Sequence, residues 1–496
     1  MFIQTYKSGS GLYARVYRAK REDGTKRNEC IHHLGKVIDL EKGIFRSRER
    51  GLVKYTIENG FEKAPEEYRN ETNNTVSLIL DFGAEYAFTK ALEKDGLLDV
   101  YRSFGPDVDT LMTLLLYKML RSGANCYAEA YWEGSYARIL YPNAKIQSQR
   151  LSDFLADLGE EATVRHFFKQ YLAYVSKKSL SSKHSVLVDS TGLPNDIHLP
   201  ITAINTHGGV TSNEIRLILV VDRITGRPLY FRYVAGNIVD VSTLIRTMGA
   251  MKDSGIDVDH CIVDAGYFSE ANIRELMSSH ISFLLRLKGG NNLYDNLLRD
   301  HVPGLSNNMD HLVLYGERIL FMKCVAVQPF GTELYAYVAI DNYTQFDERR
   351  KILRKNKKDG MTDEQRSIAI QNCGAFVLLS NTKIELSEVL PLYYTRQTIE
   401  QVFDIGKNYT DLLPLRTHNE ETFRGHLLIS FMATAAILTL NQLLKKPKYK
   451  FNGAVANLQN LKCLVYPDRL WINEPTKKMN EVLEELKVQV PRSIPM

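Results

Sequence analysis

Polar and apolar residues alternate from position 2 to 57, which predicts strands. The clearest pair is Tyr13–Ala19 and Lys26–His32, two runs about a turn at Glu22-Asp23-Gly24, the pattern of a β-hairpin. From Ser77 to about Lys178 the apolar positions fall at helical spacing, with long segments at Asp107–Arg121 and Leu151–Ser176. At Ser185 short strands return: Ser185–Asp189, Glu214–Val221, Leu229–Ala235, His260–Asp264 and Phe283–Lys288. Helices at Asp240–Lys252, with Asp240 as N-cap, and Glu270–Ser279 fall among them. A hairpin followed by crossovers predicts an α/β sheet of mixed strand direction. Residues 289–385 alternate again and read as a β-rich insertion, helical spacing resumes at Leu386, and the chain from Gly425 onward reads as helical. The expected organisation is a small β unit over 1–76, a helical domain over 77–180, an α/β core over 181–288 and 386–445, the insertion over 289–385, and a C-terminal helical region over 446–496.

Composition narrows the class. With 496 residues, 44% hydrophobic and 24% charged, the chain is neither disordered nor collagen-like. The longest apolar stretch, Leu427–Leu440, is interrupted by Ser430, Thr434 and Thr439 and reads as a core helix, so no membrane partner is expected. Met1–Tyr17 lacks the apolar core of a secretion signal, and the six cysteines show no zinc spacing. Free thiols in a cytoplasmic compartment follow. The net charge of +5 is uneven: residues 1–56 hold 13 Lys and Arg against 6 Asp and Glu, and Arg349–Lys358 holds seven bases. Such clusters are either a solvated face or a polyanion-binding surface, and charge alone leaves both open.

Two carboxylates stand out. Asp189 and Asp264 each follow a short strand and precede small residues (Ser190-Thr191-Gly192 and Ala265-Gly266), and functional groups of α/β sheets gather beyond strand carboxyl ends. A single Asp there is commonly a turn former; two in one sheet are less easily dismissed. Asp222, within Asp-Arg-Ile-Thr-Gly-Arg-Pro, reads as a turn residue. Treated as one regular helix, Tyr393–Lys407 places Tyr393, Arg396, Glu400 and Lys407 within an arc of about 60°, opposite Leu392, Ile399, Val402 and Phe403. Alone, that face could be a salt-bridged surface, because Arg396 and Glu400 are an i, i+4 pair.

The spacing Y-x2-R-x3-E-x6-K resembles the signature of DDE transposases of bacterial insertion sequences, of the insertion-sequence-four type. Leu187-Val-Asp189-Ser-Thr-Gly and Asp264-Ala-Gly-Tyr-Phe are similar to that family's segments bearing the first and second Asp. Gly236-Asn237, Leu413-Pro414-Leu415-Arg416 and Gly425-His426-Leu427 also resemble recurrent segments, so the likeness spans about residues 180 to 445. It implies a ribonuclease-H-like catalytic core in which Asp189, Asp264 and Glu400 are catalytic and hold two Mg²⁺ ions, with Mn²⁺ able to substitute. It also implies that Tyr393, Arg396 and Lys407 contact DNA phosphates, and that the chain cuts terminal inverted repeats and joins them to target DNA; the repeats would be read by the basic unit over 1–76 or by the helices over 77–180, which could serve dimerisation instead. A homodimer on double-stranded DNA in the bacterial cytoplasm would be the working form. The alternatives are a structure-specific nuclease on the same fold and a defective copy acting as a DNA-binding regulator. If the ends close into hairpins, Tyr315 or Tyr343 would be the stacking candidates.

Overall fold

The computed structural model describes residues 1–496 except 9–10, 23–24, 48–49, 66–67, 69–75, 106, 180–182, 196, 198, 208–209, 239–242, 355–361 and 416. The chain forms two compact units: Met1–Phe82 with Leu461–Pro475 and Val490–Met496, and Gly83–Asn460 with Thr476–Gln489.

The smaller unit begins with an antiparallel sheet of β1 (Phe2–Ser8), β2 (Gly11–Glu22), β3 (Thr25–Asp39), β4 (Ile44–Ser47), β5 (Gly51–Thr56) and β6 (Gly60–Lys63), paired in chain order. The expected hairpin is β2–β3, paired from Tyr13↔Lys36 to Glu22↔Thr25 with bulges after Ala14 and Val16; its turn residues 23–24 lie outside the described ones. Strand alternation turns Ala14, Val16, Leu34, Phe45, Val53 and Tyr55 into one apolar core. β7 (Leu78–Asp81) follows, where helix was expected.

The larger unit opens with α1 (Gly83–Asp95), α2 (Leu97–Arg102), α3 (Val108–Leu120), α4 (Ala128–Gly134), α5 (Ala137–Leu140), α6 (Ser148–Leu158) and α7 (Glu161–Lys178). Asp107 caps α3 by accepting from Thr110 N at 3.1 Å. The segment expected as one helix from Leu151 breaks into α6 and α7 at Gly159. These helices do not stand apart from the sheet. Phe167, Phe168 and Tyr171 of α7 pack with Phe231 and Phe431 in one aromatic cluster, which fuses the expected helical domain and α/β core into one unit.

The main sheet and the helices between its strands run β8 (Lys183–Pro194), β9 (Ala203–His207), β10 (Val210–Asp222), β11 (Pro228–Ala235), α8 (Leu244–Asp253), β12 (Asp257–Val263), α9 (Glu270–Ser278) and β13 (Ser282–Arg286) in chain order. β11, β10 and β8 are antiparallel neighbours, then β8, β12 and β13 run parallel. The apolar runs Val186–Val188, Cys261–Val263 and Phe283–Leu285 are buried, as strands covered on both faces require. Asp240, the expected cap of α8, lies outside the described residues.

The insertion differs from expectation. It holds α10 (Asn292–His301), β14 (Leu312–Tyr315), β15 (Arg318–Val327), β16 (Leu334–Asp341), α11 (Asn342–Arg354), α12 (Asp363–Gln371) and β17 (Ala375–Ser380). Its strands extend the main sheet, in the order β13-β17-β16-β15-β14. α11 and α12 bury none of their residues and so lack the apolar stripe that marks a helix in sequence.

After β17 come α13 (Leu386–Tyr394), α14 (Gln397–Asp404) and α15 (Glu420–Leu443). α15 is long and apolar enough to cross a bilayer, yet 89% of its apolar window is buried inside the unit. It crosses α6 at two glycines: a Cβ on Gly425 would stand 1.9 Å from Leu155 O, and one on Gly159 1.9 Å from Glu421 O. The region expected to be wholly helical contains α16 (Phe451–Leu458), β18 (Lys462–Val465), β19 (Arg469–Ile472), α17 (Lys477–Leu486) and β20 (Ser493–Pro495). The three strands are a correction: Cys463, Val465, Leu470 and Ile472 are buried at period two, and β20-β19-β18-β7 form a second sheet in the smaller unit.

Candidate active site

β8 does not stop at Asp189. Ser190, Thr191 and Gly192 stay extended and pair with β10 through Asp189↔Leu219 and Gly192↔Arg216. The parallel pairing with β12 does stop there, at Val188↔Val263, so Asp189 and Asp264 are the next residues on two adjoining strands. Asp264 leads into a short turn, Ala265–Tyr267, rather than continuing the ladder.

The segment expected as one signature helix is built in three parts. Pro391 lies within α13, Thr395 and Arg396 form the junction, and α14 follows. The junction is tightened to three-residue hydrogen bonds, Arg396 N to Tyr393 O at 3.1 Å and Ile399 N to Arg396 O at 3.0 Å. A wider π turn, Ile405–Tyr409, closes α14. The 100° step assumed from sequence therefore does not hold through the junction or the π turn, though Arg396 and Glu400 still meet, at 3.7 Å.

Arg396 reaches over the strand ends. Its Nη1 donates to Asp189 Oδ2 at 2.8 Å and lies 3.5 Å from Asp264 Oδ2, while Nη2 is 3.7 Å from Glu400 Oε1. The guanidinium is 20% exposed, Asp189 16%, Asp264 40% and Glu400 62%. Burial opposes the charge on Arg396, but Asp189 and Asp264 outweigh it and raise its pKa. Asp189 Oδ1 also accepts from Ser190 N at 2.8 Å. One cation thus joins all three expected acids. Among the described residues no three His, Cys, Asp or Glu side chains converge into a ready cage.

Lys407, carried on the π turn, points to the strand rather than to the acids. Its Nζ donates to Thr191 Oγ1 at 2.6 Å and Gly192 O at 3.2 Å. Burial lowers its pKa, with Glu214 opposing. Glu214 is a buried carboxylate that the sequence reading passed over; Asn205 Nδ2 donates to it at 2.5 Å. A Cβ on Gly192 would stand 2.3 Å from its Oε2, so glycine there makes room for this acid. Only cross-strand placement reveals Glu214, because in sequence it is one more polar residue of an alternating strand.

Tyr393 is 6% exposed, and burial pushes its hydroxyl pKa up. It meets Tyr394 edge-on at 5.8 Å, and Tyr394 stacks on Tyr315 at 4.9 Å, so Tyr315 already has an aromatic partner. Tyr343 is 72% exposed. Asp222 is the turn residue expected, accepting from Thr225 N at 2.7 Å, and it also pairs with buried His184 at 3.2 Å. Beside Glu400 lies a groove of about 550 Å³, with Gln397, Gln401, Asp404, Tyr409 and Asn441 on its walls.

Residues 181–435 match the family model described as the transposase DDE domain, a span that holds all three acids and Arg396. The chain is a member of the DDE transposase family. No curated protein sequence matches this transposase. A piggyBac transposase synaptic complex with hairpin DNA aligns with 76% of this chain and 70% of its own, at TM-score 0.38 and 10% identity. A Drosophila P element transposase strand transfer complex aligns with 70% and 84%, at TM-score 0.20 and 9% identity. Likeness that slight bears on neither the fold nor the chemistry of this transposase.

Proposed function

We propose that the chain is a DNA transposase of the Y-R-E-K group of bacterial insertion sequences, cutting the ends of its element and joining them to target DNA. The observation that carries this reading is the meeting of Asp189, Asp264 and Glu400 on the single guanidinium of Arg396. The strand order β11-β10-β8-β12-β13, three antiparallel strands followed by two parallel ones, supports a ribonuclease-H-like core.

The donor set fits Mg²⁺ or Mn²⁺: it offers carboxylate oxygens, the ligands of hard cations. Arg396 is a positive stand-in at their meeting point. Asp189, Asp264 and Glu400 would hold the ions. Two such ions supply Lewis-acid stabilisation of the attacking and leaving oxygens in a phosphoryl displacement. In this reading Arg396, released from the acids, and Lys407, released from Thr191, hold phosphate oxygens of the cleaved end. Tyr393, buried and within electrostatic reach of Arg396 and Asp264, would join them at the phosphates once the site opens onto DNA. A homodimer in the bacterial cytoplasm, on the terminal repeats, completes the proposal.

The test uses duplexes carrying the sequences that flank the gene, with Mg²⁺. Asp189→Asn, Asp264→Asn and Glu400→Gln should each abolish nicking while leaving end binding intact. Efficient cleavage by Asp264→Asn would overturn the assignment. Cleavage without joining would favour the nuclease reading, and binding without cleavage by the wild type would favour the regulator.

A further inference from the structure

In the smaller unit, the core takes one face of the first sheet, with Ile3, Ala14 and Val16 turned inward. The other face follows from the register. Phe2 lies opposite Tyr17, and Gln4 opposite Arg15, which lies opposite His33 on β3. Tyr6, Tyr13, Lys36 and Arg46 form one row across four strands. None of these residues is acidic, and Glu62, farther across the same face, is paired with Lys54 at 3.7 Å. Phe2 and Tyr6 are 38% and 37% exposed.

Arg15 is held rather than loose. Its guanidinium carbon sits 4.7 Å over the Tyr6 ring, while Tyr6–Tyr13 and Phe2–Tyr17 stack at 5.9 Å on either side of its row. Hydrogen bonding to Tyr17, with Tyr6 adding to it, favours its charged form. β1 is the free edge of the sheet, so β1 and β2 make a ribbon at its border. Two strands about 4.8 Å apart fit a major groove about 12 Å wide.

We propose that the outward face of β1–β2 reads duplex DNA in the major groove, Gln4 and Arg15 meeting base edges and Lys36 and Arg46 meeting phosphates. The chemistry of the central row is that of base recognition: a glutamine amide pairs with the N6 and N7 edge of adenine, and an arginine fork with O6 and N7 of guanine. The flanking cations supply the salt-dependent part of the affinity. The inference rests on the transposase reading, which makes DNA the partner.

The test is selection of a motif from a pool of randomised duplexes by the full chain. Gln4→Ala should relax an adenine position and Arg15→Lys a guanine position, each by about 5- to 150-fold, with the salt slope unchanged for Arg15→Lys. Gln4→Glu should move the preference from adenine toward cytosine, a gain that misfolding cannot produce. Lys36→Ala and Arg46→Ala should weaken all sequences alike and lower the salt slope by about 1 each. An unchanged motif in Gln4→Ala and Arg15→Lys overturns the proposal, as does loss of single-stranded binding alone, which would mark a base-stacking platform. If the wild type selects no motif the proposal falls. Should Asp189→Asn also still cut, the transposase reading falls with it; a wild type that cuts normally leaves that reading standing.

Discussion

Replacing Arg396 by Gln removes the one cation shared by the three acids. At 2.8 Å from Asp189, the pair is worth roughly 6 kcal/mol of bare attraction at an effective dielectric constant of about 20. Desolvation of two mostly buried side chains cancels much of this, and a charge-assisted hydrogen bond nets about 1.5 to 3 kcal/mol. The expected loss is therefore about 2 kcal/mol in metal-free buffer, with Asp189 and Asp264 left without their shared cation. Adding Mg²⁺ should restore the variant and stabilise it more than the wild type, whose own guanidinium must first be displaced. Urea unfolding can report this selectively. Trp132 lies in the larger unit and Trp471 in the smaller, so in a Trp471→Phe background fluorescence follows the unit that carries the site. Glu400→Gln, at 3.7 Å and 62% exposed, should shift the curve by less than about 0.5 kcal/mol. Equal stability of Arg396→Gln and wild type in EDTA, or a larger Mg²⁺ effect on wild type, would refute the argument.

Three further outcomes are expected. Asp411 pairs at 2.7 Å with the fully buried Lys118, and its φ of 57° suits asparagine, so Asp411→Asn should cost about 3 kcal/mol in urea unfolding and Lys118→Met should recover part of it. Gly425→Ala forces a carbon into the α6 backbone and should destabilise by at least about 2 kcal/mol, where Ala433→Gly, elsewhere on α15, should cost only about 1. Burial lowers His260 and His426 to about 4, so the unfolded chain binds their protons first. Stability should hold above pH 6.5 and fall toward pH 4, by up to about 3 kcal/mol per histidine, and an acid-unfolding curve unmoved by His426→Gln would contradict this.

The strands of the main sheet were legible because their apolar runs are short, β-branched and bounded by turn residues. The acids were legible because both aspartates follow such runs. What escaped had no local trace. α11 buries none of its residues, so its helical period leaves no apolar stripe. The breaks around α14 escaped because a uniform helical step cannot register a tight junction followed by a wide turn. Glu214 joins Lys407 and Gly192 only through strand pairing, and β7 finds β18 across more than 380 residues, a partnership no local window contains.

That last pairing orders events during synthesis. The smaller unit needs segments far apart in sequence, Leu78–Asp81 and then Lys462–Val465, Arg469–Ile472 and Ser493–Pro495. While the ribosome makes the intervening residues, β7 waits without β18, and its sheet can begin to close only after Gly83–Asn460 has been translated. A nascent or prematurely terminated chain would therefore carry the carboxylate site without the finished second sheet. Completion of that sheet makes the smaller unit a late checkpoint, passed only once Ser493–Pro495 has been made.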